Sequence, residues 1–174
     1  MSNAFNGTVR VVVSNNFDNI LDLATVRDTL AISWEQTLTN GDAANKAQVQ
    51  WHDERTLNAG ASESLNLAGA LSCAFGVVTF KKIKGIAIRV TTATANYSIQ
   101  VGGGSDGAGT NAVATLFGAA NDVLKIQASG MLLLTAPVDG YAVTAGSGDI
   151  LRVHNPSAGD VTYQIAIWGT GSVA

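Results

Sequence analysis

His52-Asp53-Glu54-Arg55 is the densest run of ionisable side chains in the sequence, and it is where general acid–base chemistry would be sought first. In an extended chain, however, neighbouring residues point to opposite faces. The run therefore reads as a polar strand end, with Arg55 pairing to a nearby acid. Cys73 could be a nucleophile only with a histidine brought close in space, and it lies in Leu71-Ser72-Cys73-Ala74-Phe75, where an inert buried thiol is expected. His154 stands alone at another strand end. The chain has 2 His and 1 Cys, with no C-x-x-C or H-E-x-x-H spacing, so no metal site is expected. A G-x-S-x-G elbow is also lacking. The sequence predicts no catalytic residues, no cofactor and no enzyme.

Gly102-x-Gly104-x-x-Gly107 matches the dinucleotide fingerprint in letters, but Thr110-Asn111-Ala112-Val113 does not open the helix that would hold a pyrophosphate. Gly102 to Gly109 reads instead as a flexible loop tip. Lys81, Lys82 and Lys84 form one basic cluster. It suits either contact with an acidic partner or protection of a strand edge. Trp34, Trp51 and Trp168 each alternate with aliphatic neighbours, which points to core or interface burial rather than a sugar platform.

These residues must be positioned by β-strands. Short β-branched runs separated by Gly, Asn, Asp and Ser clusters predict ten to twelve strands. Val9 to Val13 is the first, closed by Ser14-Asn15-Asn16. Leu30, Ile32, Trp34 and Leu38 share a face of the next. Ala47, Val49 and Trp51 share a face after the Asn40-Gly41-Asp42 turn, and Ile86, Ile88 and Val90 a later one. One short helix is expected at Asp18 to Val26. With no βαβ alternation, no fixed repeat and no linker, the expected fold is all-β: an antiparallel two-sheet jelly-roll sandwich, with a Greek-key barrel as the runner-up, one domain over 1–174. Residues 1–14 are a candidate N-terminal arm.

Composition narrows the function class. Of 174 residues, 13% are charged, about half the roughly 25% of ordinary soluble domains. A surface so poor in charge suits a protein covered by other subunits. With 10 basic and 13 acidic residues the chain lacks the cationic surplus that phosphate neutralisation needs, so no nucleic-acid partner is expected. No apolar run approaches the ~20 residues that span a bilayer, and no membrane partner is expected either. Met1-Ser2-Asn3-Ala4-Phe5-Asn6 has no secretory n-region or h-region, which suggests synthesis in a cytoplasm.

Several longer strings look familiar: Phe75-Gly76-Val77-Val78-Thr79-Phe80-Lys81-Lys82-Ile83-Lys84-Gly85-Ile86-Ala87-Ile88-Arg89, Val101-Gly102-Gly103-Gly104, Gly130 to Pro137, Tyr141 to Val153, and Val161 to Gly169. Together, over roughly 65–169, they resemble a pattern in small virion proteins of tailed bacteriophages. The resemblance implies a jelly-roll cement or decoration protein. Such a protein sits on the outer capsid surface of the virion, ties major capsid protein subunits together, and is a homo-oligomer, with a trimer favoured over a dimer. It marks no binding residues. Candidate interface positions are Val9, Val11 and Val13 in the N-terminal segment, then Lys81, Lys82 and Lys84, then Gly103 and Asp106 of the glycine loop. A tail, baseplate or fibre module is the alternative, and a carbohydrate-binding jelly roll is a third.

Overall fold

A computed structural model describes residues 4–103 and 110–174. In chain order the elements are β1 (Asn6–Ile20), β2 (Thr25–Asn40), β3 (Lys46–Ala47), β4 (Val49–Leu57), β5 (Ser62–Asn66), β6 (Ala68–Cys73), β7 (Gly76–Val90) and β8 (Ser98–Gly102). There follow α1 (Ala114–Phe117), β9 (Val123–Gln127), β10 (Met131–Thr135), β11 (Tyr141–Ala142), β12 (Ile150–His154) and β13 (Val161–Val173). The chain is all-β, as its punctuation predicts, and the described strands form three sheets.

The largest sheet runs β10-β7-β13-β4, and the second runs β5-β12-β8-β9. β7 is the spine of the first. One of its edges pairs with β13 from Val78 to Val90, while β6, β11 and β10 share the other edge in succession. Alternation decides what is buried. Ile86, Ile88 and Val90 on β7, Tyr163, Ile165 and Ile167 on β13, and Trp51 on β4 turn inward. They join Leu65, Ile99, Val101, Ile126, Leu151 and Val153 of the second sheet in one buried cluster. Burying a side chain of this size stabilises the fold by about 1.5–3 kcal/mol relative to exposure.

The third sheet is β1-β2-β3. β1 and β2 pair antiparallel over their whole length, from Asn6↔Thr39 to Ile20↔Thr25. β3 joins β2 in parallel at Thr39 and Asn40 alone; every other ladder between named strands is antiparallel.

Two expectations from the sequence are corrected here. Asp18 to Val26 is not a helix: it is the end of β1, a turn closed by Leu21 N–H to the Ala24 carbonyl at 2.8 Å, and the start of β2. Cross-strand bonding favours the ribbon, because Arg27 forks onto both Asp18 oxygens at 2.7 and 2.8 Å and Ile20, Thr25 and Val26 are β-branched. Nor do Ser14-Asn15-Asn16 close a strand. Thr29 Oγ1 donates to Asn16 Oδ1 across the ribbon, and a polar run with ladder partners stays extended. The one helix among the described residues is the single turn α1.

The Lys81-Lys82-Lys84 segment does not lie on a sheet edge, since β7 is paired on both sides there. The β7–β13 register shifts between Trp168 and Gly169 and again between Thr170 and Gly171, leaving Lys84 and Lys81 as the extra residues of two bulges. Gly169 permits this: a Cβ there would run into the Lys82 carbonyl oxygen.

Candidate interaction surface

The sequence's candidates for chemistry lie on different strands: His52 on β4, Cys73 on β6 and His154 on β12. Tyr163 is fully buried and its hydroxyl donates to Glu63 Oε1 at 2.6 Å; Arg55 Nη1 donates to Glu63 Oε2 at 2.7 Å. Arg55 also sits 3.2 Å from Asp53 and lies over the Trp51 ring. Burial first, then the Glu63 carboxylate, pushes the Tyr163 phenol far above its ordinary range. The bonds from Arg55 and Tyr163 to Glu63 tie β4, β5 and β13 together. Arg55 does pair with nearby acids, as the sequence suggests. His52 faces outward on β4, and His154 Nδ1 contacts Ser62 Oγ at 2.9 Å. Cys73 is half-buried, and its Sγ accepts from Phe75 N–H. Among the described residues no group of three His, Cys, Asp or Glu could hold a metal ion.

The basic cluster splits. Lys81 and Lys82 are exposed, but Lys84 is buried, and its ammonium donates to the Pro137 and Val138 carbonyls at 3.0 and 2.6 Å. Desolvation, and then Lys82, lower its pKa, with Asp139 opposing. Lys84 therefore ties the 137–138 turn to the spine instead of meeting a partner. Gly103 packs against the backbone of the 119–122 turn and donates to the Asp122 carbonyl. Asp106 and the rest of the glycine loop from 104 to 109 lie outside the described residues.

Val9, Val11 and Val13 behave differently. Directly opposed residues of an antiparallel pair share a face. The register therefore puts Val9/Gln36, Val11/Trp34, Val13/Ile32, Asn15/Leu30, Phe17/Asp28 and Asn19/Val26 on one side of the β1–β2 hairpin. Thr8/Thr37, Arg10/Glu35, Val12/Ser33, Ser14/Ala31, Asn16/Thr29 and Asp18/Arg27 occupy the other. One face is predominantly apolar and the other predominantly polar.

Only the base of this hairpin touches the body. Leu38 is buried there, whereas every residue from Ser14 to Ala31 is exposed. On the apolar face Trp34 is 60% exposed, Phe17 76% and Val26 60%. Near the base a crevice of about 100 Å³ lies between Val9, Val11 and Trp34 of the hairpin and Leu133 and Thr135 of β10. Met131, two residues before Leu133 on the same face of β10, is also exposed. The apolar strip thus continues from the hairpin onto the body.

At ~3.3 Å per residue, 15 paired positions make an arm roughly 50 Å long. Isolated two-stranded hairpins are marginal in water, and this one keeps an exposed apolar strip along one face. The sequence shows the strip as the alternation in Leu30 to Leu38 and Val9 to Val13. Its length is hidden, because Asn15, Asn16, Asp18 and Asn19 break the apolar pattern beyond Val13. A scan of protein-family models finds no match to this chain, and a search of curated proteins finds none either.

Proposed function

We propose that this chain is a structural virion protein of a tailed bacteriophage: a capsid cement or decoration protein that binds the outer capsid surface as a homo-oligomer and stabilises the shell. The observation that carries this reading is the projecting hairpin with one apolar, unpartnered face. A protein whose largest specialised feature is a long docking arm works by contact. The resemblance over residues 65–169 supplies the class, and the low charge of the chain suits broad, largely uncharged contacts. The two body sheets are then the halves of a jelly-roll sandwich.

The mechanism is additive burial. A closed oligomer seated on a symmetry axis of the shell engages several identical surfaces at once, so modest contacts multiply through effective concentration. Each bound copy removes apolar surface from water across a joint between capsomers, and splitting that joint must re-expose it. The exposed Lys81 and Lys82 add a cationic patch for an acidic partner surface.

The test is heat rupture of shells assembled from the major capsid protein of the encoding genome, with and without the purified chain. The reading predicts that added protein raises the rupture temperature until sites saturate. No change would overturn it, and protection of tails alone would move the protein to the baseplate or fibre. Trp51 lies in the core with Nε1 donating to the Ser72 carbonyl, and Trp168 is half-buried with its ring against Gly85, so a sugar platform would have to rest on Trp34. Glycan binding abolished in Trp34→Ala would favour the carbohydrate module instead.

A further inference from the structure

We infer that the apolar face of the β1–β2 hairpin is a self-association surface, covered by the same face of a second copy of this chain running antiparallel to it. This deepens the homo-oligomer part of the proposed function by naming what covers the arm's apolar face, and it leaves contact with the shell to the other surfaces of the assembled pair; it stands on the hairpin's own residues and is testable without any shell.

Area is the first argument. An arm about 50 Å long and two strands, roughly 10 Å, wide presents a flat footprint of about 500 Å². Side-chain relief enlarges the accessible area, and Leu133 and Met131 extend the strip onto the body. A stable interface takes about 800 Å² from each partner, so the arm supplies the larger part of one side and the extension onto Leu133 and Met131 must supply the rest. Its footprint falls within the range of the largest patches on ordinary monomers, about 300–600 Å², which are often functional.

Matching along the strip is the second argument, and it selects both the partner and the direction. Two ribbons stacked face to face about a two-fold axis perpendicular to the strands lay β1 on β1 and β2 on β2, in opposite directions. Centring the axis on the Val13/Ile32 pair puts Phe17 over Val9, Trp34 over Leu30, and Val13 and Ile32 each over its own copy. Asp28, the one carboxylate on this face, then meets Gln36, whose amide can donate to it. Val11 over Asn15 pairs apolar with polar, and the end pair Asn19/Val26 reaches Gly7/Leu38, where Leu38 is already buried against the body. Parallel arms, with the axis along the strands, instead lay Phe17 over Asp28, Leu30 over Asn15, Val9 over Gln36 and Val26 over Asn19. That arrangement desolvates a carboxylate against an aromatic ring. The sequence of the face is thus complementary to its own reverse, which is what an isologous contact requires.

The contact also accounts for the crevice between Trp34 and Leu133. In the antiparallel arrangement the Phe17 end of each arm arrives over Val9, one wall of that crevice. Each arm tip is then supported by the other copy's body. Burial of the ribbon on one face with its polar face in water is the ordinary state of an antiparallel pair.

The experiment uses the full chain at micromolar concentration, with mass read by light scattering. Twice the chain mass is expected, and Trp34→Asp or Phe17→Asp should return it to one chain mass. Both substitutions fall at exposed positions, so the melting of the body reports whether it remains folded. In a Cys73→Ser background, Ile32→Cys and Val13→Cys should each cross-link to itself under mild oxidation. Phe17→Cys should cross-link only when mixed with Val9→Cys. A wild-type chain that stays monomeric, a three-chain mass, or Ile32→Cys that cross-links only to Val13→Cys would overturn the inference. A dimer that leaves shells unprotected would keep the inference and remove the cement reading.

Discussion

Val11 of β1 and Trp34 of β2 stand directly opposite each other on one face of the hairpin, and together they wall a crevice whose far side is Leu133 of β10. This places the exposed indole where the arm leaves the body, on the strip that self-association would bury.

Trp34 should therefore report association by its own fluorescence. Its spectrum is obtained by subtracting that of Trp34→Phe from wild type, since the other two indoles, Trp51 and Trp168, are common to both. The difference spectrum should be that of a solvated indole in dilute solution and shift to the blue as concentration rises. An emission that is independent of concentration and already blue would mean that Trp34 packs within its own chain.

Alkaline stability should be set in part by Tyr163. Its phenol is raised above the ordinary 10.0 by burial and by Glu63, so folded and unfolded chains bind the same proton below about pH 10. Above that value the unfolded phenol ionises and the folded one does not, so stability falls as pH rises. Tyr163→Phe should lower stability at pH 7 by about 2 kcal/mol, for the lost bond to a carboxylate. It should also flatten the decline above pH 10. Denaturant titrations at pH 7, 9.5 and 11 measure both effects.

Gly85 and Gly169 should differ in how their substitution can be rescued. A Cβ on Gly85 enters the Trp168 ring, whereas a Cβ on Gly169 enters the Lys82 carbonyl at the bulge. Gly85→Ala should cost about 1–3 kcal/mol, and Trp168→Ala should relieve most of the added cost of introducing it. Gly169→Ala should cost more and gain nothing from Trp168→Ala, because backbone cannot step aside. A double-mutant cycle on thermal midpoints separates the two cases.

Asn155 should behave as a staple. It is fully buried, its amide nitrogen lies 2.9–3.0 Å from the Leu57, Asn58 and Gly159 carbonyls, and its Oδ1 accepts from Ser157 N–H. Asn155→Leu strands several of these groups in the interior, at about 1–3 kcal/mol each. The expected outcome is a loss of at least about 3 kcal/mol in chemical denaturation.

The alternation in the buried strands made most of the body legible in the sequence. Ile86/Ile88/Val90 and Ala47/Val49/Trp51 are buried on the faces that the period of two assigns. The hairpin was legible only in part. Its apolar face is interrupted at Asn15 and Asn19, and the Asp18–Arg27 pair that holds its far end joins residues nine apart, which strand periodicity does not reveal. The fate of Lys84 was hidden for a similar reason: two bulges break the alternation of β7, and the acceptors for its ammonium come from 137 and 138. Nothing in local sequence announces a bulge whose cause is a pair of glycines on β13, some 85 residues away.

Whether this chain binds shells is decided by co-sedimentation of the purified protein with shells of the major capsid protein. The protein should pellet with the shells, saturate at a fixed ratio of chains to capsid subunits, and lose binding or occupancy when Trp34→Asp disables the arm. Protein that remains wholly in the supernatant at saturating shell concentration would contradict the cement reading.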